Sequence, residues 1–187
     1  FLILLLFIFE LYKEREYHFR SIALTIFGLV YIVIPFSTLN FIAFAGINND
    51  QYTYKYILSL FIIIWVNDSG AYLIGSLLGK RKLFESISPK KTWEGTLGGL
   101  LVSLIAAFVL SLFFTRLNLL EWFIFAFVVV VFGTYGDLFE SHLKRRTGVK
   151  DSGTIMPGHG GLLDRFDSTF FAAPMIFLYL KVIEYFF

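Results

Sequence analysis

The sequence predicts an all-α, polytopic transmembrane helix bundle of about five full spans preceded by a partial one. Three observations carry that expectation. Of 187 residues, 57% are hydrophobic and 20% aromatic, while 16% are charged; a soluble domain is typically about 45–50% apolar and about 25% charged. The apolar residues gather in runs close to the roughly 20 residues a helix needs to cross a bilayer. The basic residues avoid every second connection between those runs, as in a chain that threads a membrane repeatedly. Disorder and an ordinary water-soluble enzyme are excluded by the same numbers. With no Cys there is neither a disulfide scaffold nor a thiolate metal site. A net charge of +2 gives no ground for a nucleic-acid partner.

Residues 1–9, FLILLLFIF, carry neither an initiator Met nor a basic leader. They read as the tail of a span, so further spans are expected before them. The next span covers 21–44, where Pro35 with the polar Ser37, Thr38 and Asn40 is able to end the helix early and leave an interfacial stretch. Residues 46–52 read as a plain external loop. The span 54–78 holds Asn67-Asp68-Ser69 at mid-length; the tripeptide matches a glycosylation sequon by chance, given its depth. Spans follow at 96–114, 119–135 and 166–187. Gly75/Gly79 and Gly95/Gly99 are spaced for close helix packing. No repeat or low-complexity tract appears. The chain reads as a single integral membrane domain, with peripheral spans in 1–45 and a catalytic core in 54–187.

Orientation follows from the basic residues. All but Lys55, Arg116 and Lys181 of the 16 Lys and Arg fall in three segments, 10–20, 79–94 and 141–165. Five crossings put these segments on one side, which the positive-inside rule makes cytoplasmic.

Charges within hydrocarbon cost about 2.5–3.5 kcal/mol each on insertion scales, so they need a reason. Asp68 lies between apolar runs in IIIWVNDSGAYLIG; Asp137 and Glu140 close a span; Asp164 and Asp167 open the last one. All sit at or near the basic side. Asp137, Ser141 and Lys144 share a helix face, as do Asp164, Asp167 and Ser168. Carboxylates from two helices beside a basic loop suit a hard cation such as Mg²⁺, which takes carboxylates plus substrate phosphates. For either carboxylate alone, an interfacial cap or a salt bridge with Arg165 is the competing account. The segment KRRTGVKDSGTIMPGHGGLLDR, 144–165, is rich in Gly and cations and able to present N–H groups and positive charge to phosphates, although any cytoplasmic loop is basic. Ser88-Pro89-Lys90-Lys91-Thr92-Trp93-Glu94 is a second basic cluster, suited to a triphosphate or simply solvated. Gly75–Lys80 lacks the spacing of a phosphate-binding P-loop. His18 and His142 read as interfacial structural residues. No zinc-protease motif or Ser-His-Asp set is evident.

The segment from Ser141-His142-Leu143-Lys144-Arg145 through Lys150-Asp151-Ser152-Gly153 to Pro157-Gly158-His159-Gly160-Gly161-Leu162-Leu163-Asp164-Arg165-Phe166-Asp167 resembles the signature of phosphatidate cytidylyltransferases, the CDP-diacylglycerol synthases. Met156 is a conservative departure. Asp68-Ser69-Gly70-Ala71-Tyr72, Ser88 to Gly95 and Gly136 to Ser141 resemble the family's other motifs, so that 65–168 is covered closely. The resemblance implies a multi-pass, usually dimeric enzyme of the bacterial inner membrane. It would transfer CMP from CTP to phosphatidic acid at a site facing the cytoplasm and open sideways to membrane lipids. Mg²⁺ is implied at Asp137 and Asp164, with a second cation described for the family. Lys144, Lys150, Arg165 and His159 are then expected to serve catalysis beside those two carboxylates. Asp68, Ser88, Lys90, Lys91, Glu94, Ser141, Arg145, Asp151, Gly160, Gly161 and Asp167 are expected to bind substrate. The competing readings are another CTP-dependent lipid enzyme, of polyprenol kinase or archaeal CDP-lipid synthase type, and an ion-coupled transporter.

Overall fold

The computed structural model describes residues 18–45, 52–153 and 161–186, with Leu5 and Ile8. The expected partial span at 1–9, apart from those two, the loop at 46–51, the side chain of His18, and His159 and Gly160 lie outside the described residues.

Among the described residues five helices are long and apolar enough to cross a membrane, which makes this a multi-pass membrane protein. They are α1 (His18–Phe44), α2 (Lys55–Leu78), α3 (Trp93–Phe113), α4 (Leu119–Arg146) and α5 (Leu163–Phe186). α1 continues through Pro35 rather than stopping there. Thr38 explains part of this, since its hydroxyl donates to the Pro35 carbonyl at 2.7 Å and so needs no water. α4 starts on a capping box, in which the Asn118 N–H donates to Glu121 Oε2 at 2.6 Å and the Glu121 N–H to Asn118 Oδ1 at 2.9 Å. It runs 28 residues, a full turn and more beyond its apolar stretch, and ends on Lys144, Arg145 and Arg146, whose charges suit the negative end of the helix dipole. Asp137 to Lys144 therefore stand on a helix, as their shared face required, and only the part of 141–165 beyond Arg146 leaves it before α5.

A short antiparallel hairpin departs from the all-α expectation. β1 (Lys82–Phe84) pairs with β2 (Ser88–Thr92), with Lys82 opposite Thr92 and Phe84 opposite Ser88. Strands this short, rich in Lys and carrying Pro89, leave no period-two pattern to read. β2 runs directly into α3, where Thr92 caps the helix by accepting the Gly95 N–H at 3.1 Å.

α2 packs on α3, α4 on α5, and α1 on α5. The glycines let backbones meet. A Cβ on Gly95 would lie 2.7 Å from the Ala71 carbonyl oxygen, and one on Gly99 would lie 2.6 Å from Asn67 Oδ1. On α4, a Cβ on Gly136 would lie 2.5 Å from the Asp167 carbonyl oxygen. The apolar core fills the half of the bundle away from the basic connections. Ile42, Tyr56, Leu60, Trp122, Phe125 and Ile176 are fully buried there, from α1, α2, α4 and α5. Lipid is as apolar as these side chains, so dense packing and internal hydrogen bonds hold the helices together. The Trp122 indole N–H donates to the Phe114 carbonyl at 3.1 Å, and the Tyr179 hydroxyl to the Glu121 carbonyl at 2.7 Å.

Candidate active site

At the basic end the helices diverge around a cavity of about 230 Å³. α2 contributes Asn67, Asp68, Ala71 and Tyr72, residues one and four apart that share a helix face. The opposite wall comes from Thr134 and Asp137 on α4 and Ser168 on α5. Lys90, Lys91 and Thr92 of the hairpin, with Gly95 and Thr96 at the start of α3, complete the lining. The cavity thus holds two carboxylates and two ammonium groups. The Asn67 amide donates to Asp68 Oδ1 at 3.5 Å, and Gly99 of α3 leaves room for Asn67 on the facing helix.

Asp137 is ion-paired with Lys91 and also accepts the Ser141 hydroxyl at 3.3 Å, one turn along the same helix. Both members of the ion pair remain about a quarter exposed. The pair links the hairpin to α4. Glu94 also serves the hairpin. Its carboxylate accepts the backbone N–H groups of Lys80 and Arg81, at 3.1 Å from each to Oε2, and so closes the hairpin's base.

A second charged group lies between the end of α4 and the start of α5. Lys144 Nζ donates to Glu140 Oε2 at 2.9 Å and to Asp164 Oδ1 at 2.5 Å. Asp164 Oδ2 accepts the Ser152 N–H at 2.9 Å, the Ser152 hydroxyl at 2.7 Å and the Gly161 N–H at 2.7 Å. One carboxylate therefore joins α4, α5 and both flanks of the Gly-rich segment. The flanks meet closely enough that a Cβ on Gly153 would lie 3.6 Å from the Gly161 Cα. Asp167 accepts its neighbour Ser168's N–H at 2.6 Å and lies within electrostatic reach of Asp137, Glu140 and Asp68. The short Gly136–Asp167 backbone approach is what brings these carboxylates together.

The expected residues divide accordingly. Asp68, Lys90, Lys91 and Asp137 line the cavity; Ser141, Lys144, Asp164, Asp167 and Gly161 stand around the two charged groups. Ser88 opens β2, while Arg145, Lys150 and Asp151 are exposed at the same end. Arg165 lies in the first turn of α5, its N–H on the Leu162 carbonyl at 3.1 Å. Sequence reasoning missed Asn67, Thr134 and Gly136 as parts of the site. Gly133 and Gly136, three residues apart on one helix and both facing Ser168, carried a small-residue signal like that of the pairs it did find.

The donor set suits a hard cation: Asp68, Asp137, Asp164 and Asp167 offer oxygen only. Among the described residues no three Asp, Glu or His side chains close on a single point.

Residues 1–183 match the cytidylyltransferase family. The chain is 43% identical over 166 residues to the phosphatidate cytidylyltransferase of Staphylococcus haemolyticus, a match covering 88% of this chain and 61% of that protein. The phosphatidate cytidylyltransferases of Staphylococcus saprophyticus and Staphylococcus epidermidis are 41% and 40% identical over the same shares. The chain thus spans about three fifths of the length of the curated relatives it matches.

Proposed function

The chain belongs to the cytidylyltransferase family, and we propose that the protein it represents transfers CMP from CTP to phosphatidic acid, giving CDP-diacylglycerol and pyrophosphate. The observation that carries this reading is the cavity at the basic end, which combines Asp68 and Asp137 with Lys90 and Lys91 where helices α2 to α5 meet the headgroup level.

In the proposed reaction a phosphate oxygen of phosphatidic acid attacks the α-phosphorus of CTP. The new P–O bond forms as the bond to the β-phosphate breaks, and pyrophosphate leaves in line. The nucleophile is already an anion at neutral pH, so no dedicated base is required. The obstacle is the approach of two anions, and the work falls to positioning and charge neutralisation. Lys90 and Lys91 stand where a triphosphate would enter between hairpin and α4. Binding there replaces the Lys91–Asp137 pair with Lys91–phosphate contacts and frees the Asp137 carboxylate. Lys144, Arg145, Lys150 and Arg165 supply further positive charge around the phosphates. Asp164 holds the flanks of the Gly-rich segment against α5 through Ser152 and Gly161. Asp137 and Asp164, with Asp68 and Asp167 close by, would hold Mg²⁺, which would supply charge neutralisation at the phosphates. A site at this depth serves both substrates, since the nucleotide comes from water and the lipid phosphate lies at the interface. The clustering of basic residues supports a cytoplasmic site in a bacterial inner membrane. We extend the reading to a homodimer and to a second cation on the family resemblance.

The test is pyrophosphate release from CTP by the purified full-length protein in detergent–lipid micelles, with and without phosphatidic acid and Mg²⁺. Release that requires both is expected. Release without the lipid, or transfer only to a different acceptor, overturns the reading.

A further inference from the structure

We infer that Tyr31 of α1 is a positioning residue for this site, acting through one bound water between its hydroxyl and Glu140; the inference rests on the cytidylyl-transfer reading.

The ring of Tyr31 is set among phenylalanines. It stacks on Phe27 with centroids 5.7 Å apart, and meets Phe139 of α4 at 5.6 Å and Phe170 of α5 at 4.9 Å. Phe139 precedes Glu140, and Phe170 lies one turn beyond Asp167. The ring is therefore held against the seam between α4 and α5 at the level of the carboxylates. Its hydroxyl is buried there without a hydrogen-bond partner among the described residues. The charged groups that act on it most strongly are Glu140, then Asp167 and Asp137. A residue needed only for packing among four phenylalanines has no use for a hydroxyl, and a dry, unpartnered one is unfavourable.

Glu140 is the complement. It is 3% exposed, and its Oε2 takes the Lys144 ammonium while its Oε1 is buried without a partner among the described residues. A buried donor and a buried acceptor thus share one seam without bonding each other. A water bridging such groups is the usual solution in protein interiors. With its second oxygen satisfied, Glu140 is fixed in rotamer. Lys144 is then held where it meets Asp164, and Asp164 where it gathers Ser152 and Gly161. α1, expected as a peripheral span, becomes the outer support of the site.

Tyr31→Phe removes one oxygen and leaves the ring stack. In the full-length protein it is expected to lower kcat ~10-fold, the loss of one hydrogen bond to a charged group, with KM for CTP and the melting temperature unchanged. Phe27→Leu is the packing control and lowers the melting temperature without changing kcat. In a Glu140→Gln background, Tyr31→Phe is expected to add little further loss, because both act through one water. A second measurement is independent of turnover: acylation of Lys144 by an N-hydroxysuccinimide ester, read by mass spectrometry against Lys80. Tyr31→Phe is expected to raise Lys144 labelling several-fold relative to Lys80. Unchanged kcat together with unchanged labelling overturns the proposal, as do losses that multiply in the double variant. If the wild-type protein forms no CDP-diacylglycerol, the cytidylyl-transfer reading fails while the labelling result still decides the role of Tyr31.

Discussion

The two halves of the bundle solve the membrane problem in opposite ways. Away from the basic end, the helices meet through Trp122, Phe125, Leu60 and Ile176, and the polar groups there are spent on the chain itself, as in Trp122 to Phe114 and Tyr179 to Glu121. At the basic end the same helices carry Asp68, Asp137, Glu140, Lys144, Asp164 and Asp167, and two ion pairs there span elements, Lys91 to Asp137 and Lys144 to Asp164. Removing charges from water costs more than packing apolar groups, and pairing at best offsets that cost. The charged half is therefore a poor way to stabilise a bundle and a good way to handle phosphates. Its two carboxylate groups differ in turn. Asp137 is paired to a hairpin that is anchored at its base by Glu94, and it stays partly open; Asp164 accepts four hydrogen bonds and acts as a junction.

If the halves divide labour in this way, substitutions should separate stability from chemistry. The largest effect on turnover is expected at Asp137. Asp137→Asn keeps the shape and the Ser141 contact but removes the charge that meets Lys91, and transfer should fall by about 10³-fold, as for other preorganised charges at a reacting centre. Insertion and melting temperature should be preserved. Product formation near the wild-type level would show that the open carboxylate is not part of the chemistry and dissolve the contrast with Asp164. Gly136→Ala should come next, at roughly 10²-fold, because its Cβ would sit 2.5 Å from the Asp167 carbonyl oxygen and force α4 and α5 apart by part of an ångström. The measurement is kcat at saturating CTP and lipid. A loss confined to melting temperature would place Gly136 with the packing half.

Much of this division was legible in the sequence. The boundaries of four helices follow hydropathy to within a few residues, since each span must satisfy its own backbone inside lipid, whereas α4 runs on from the apolar stretch 119–135 to Arg146. Asp68, Asp137, Asp164 and Asp167 stood out because a charge in an apolar run demands an explanation. What escaped depends on partners distant in the chain. The hairpin is too short to show a strand pattern. For Glu94, nothing in its neighbours reveals that two backbone N–H groups fourteen and thirteen residues away meet its carboxylate. Tyr31 looked like one aromatic among many, and only the packing of Phe139 and Phe170 around it shows where its hydroxyl is placed.

The smallest expected effect on turnover is the sharpest test of the division. Trp122 is fully buried in the apolar half and donates to the Phe114 carbonyl across the α3–α4 turn. In a soluble core, Trp→Ala loses both a transfer term and a cavity term. Here the transfer term is small, because a side chain released from the interface meets lipid as apolar as the core it left. What remains is the cavity and the unpaired Phe114 carbonyl, together roughly 3 kcal/mol. Trp122→Ala should therefore lower the melting temperature and the yield of folded protein in detergent, while kcat per folded molecule stays at the wild-type value. A fall in kcat without a fall in melting temperature would mean that the far half is coupled to the phosphate site through α4. In that case the 28-residue helix, rigid from its capping box to Lys144, would be the element carrying the coupling.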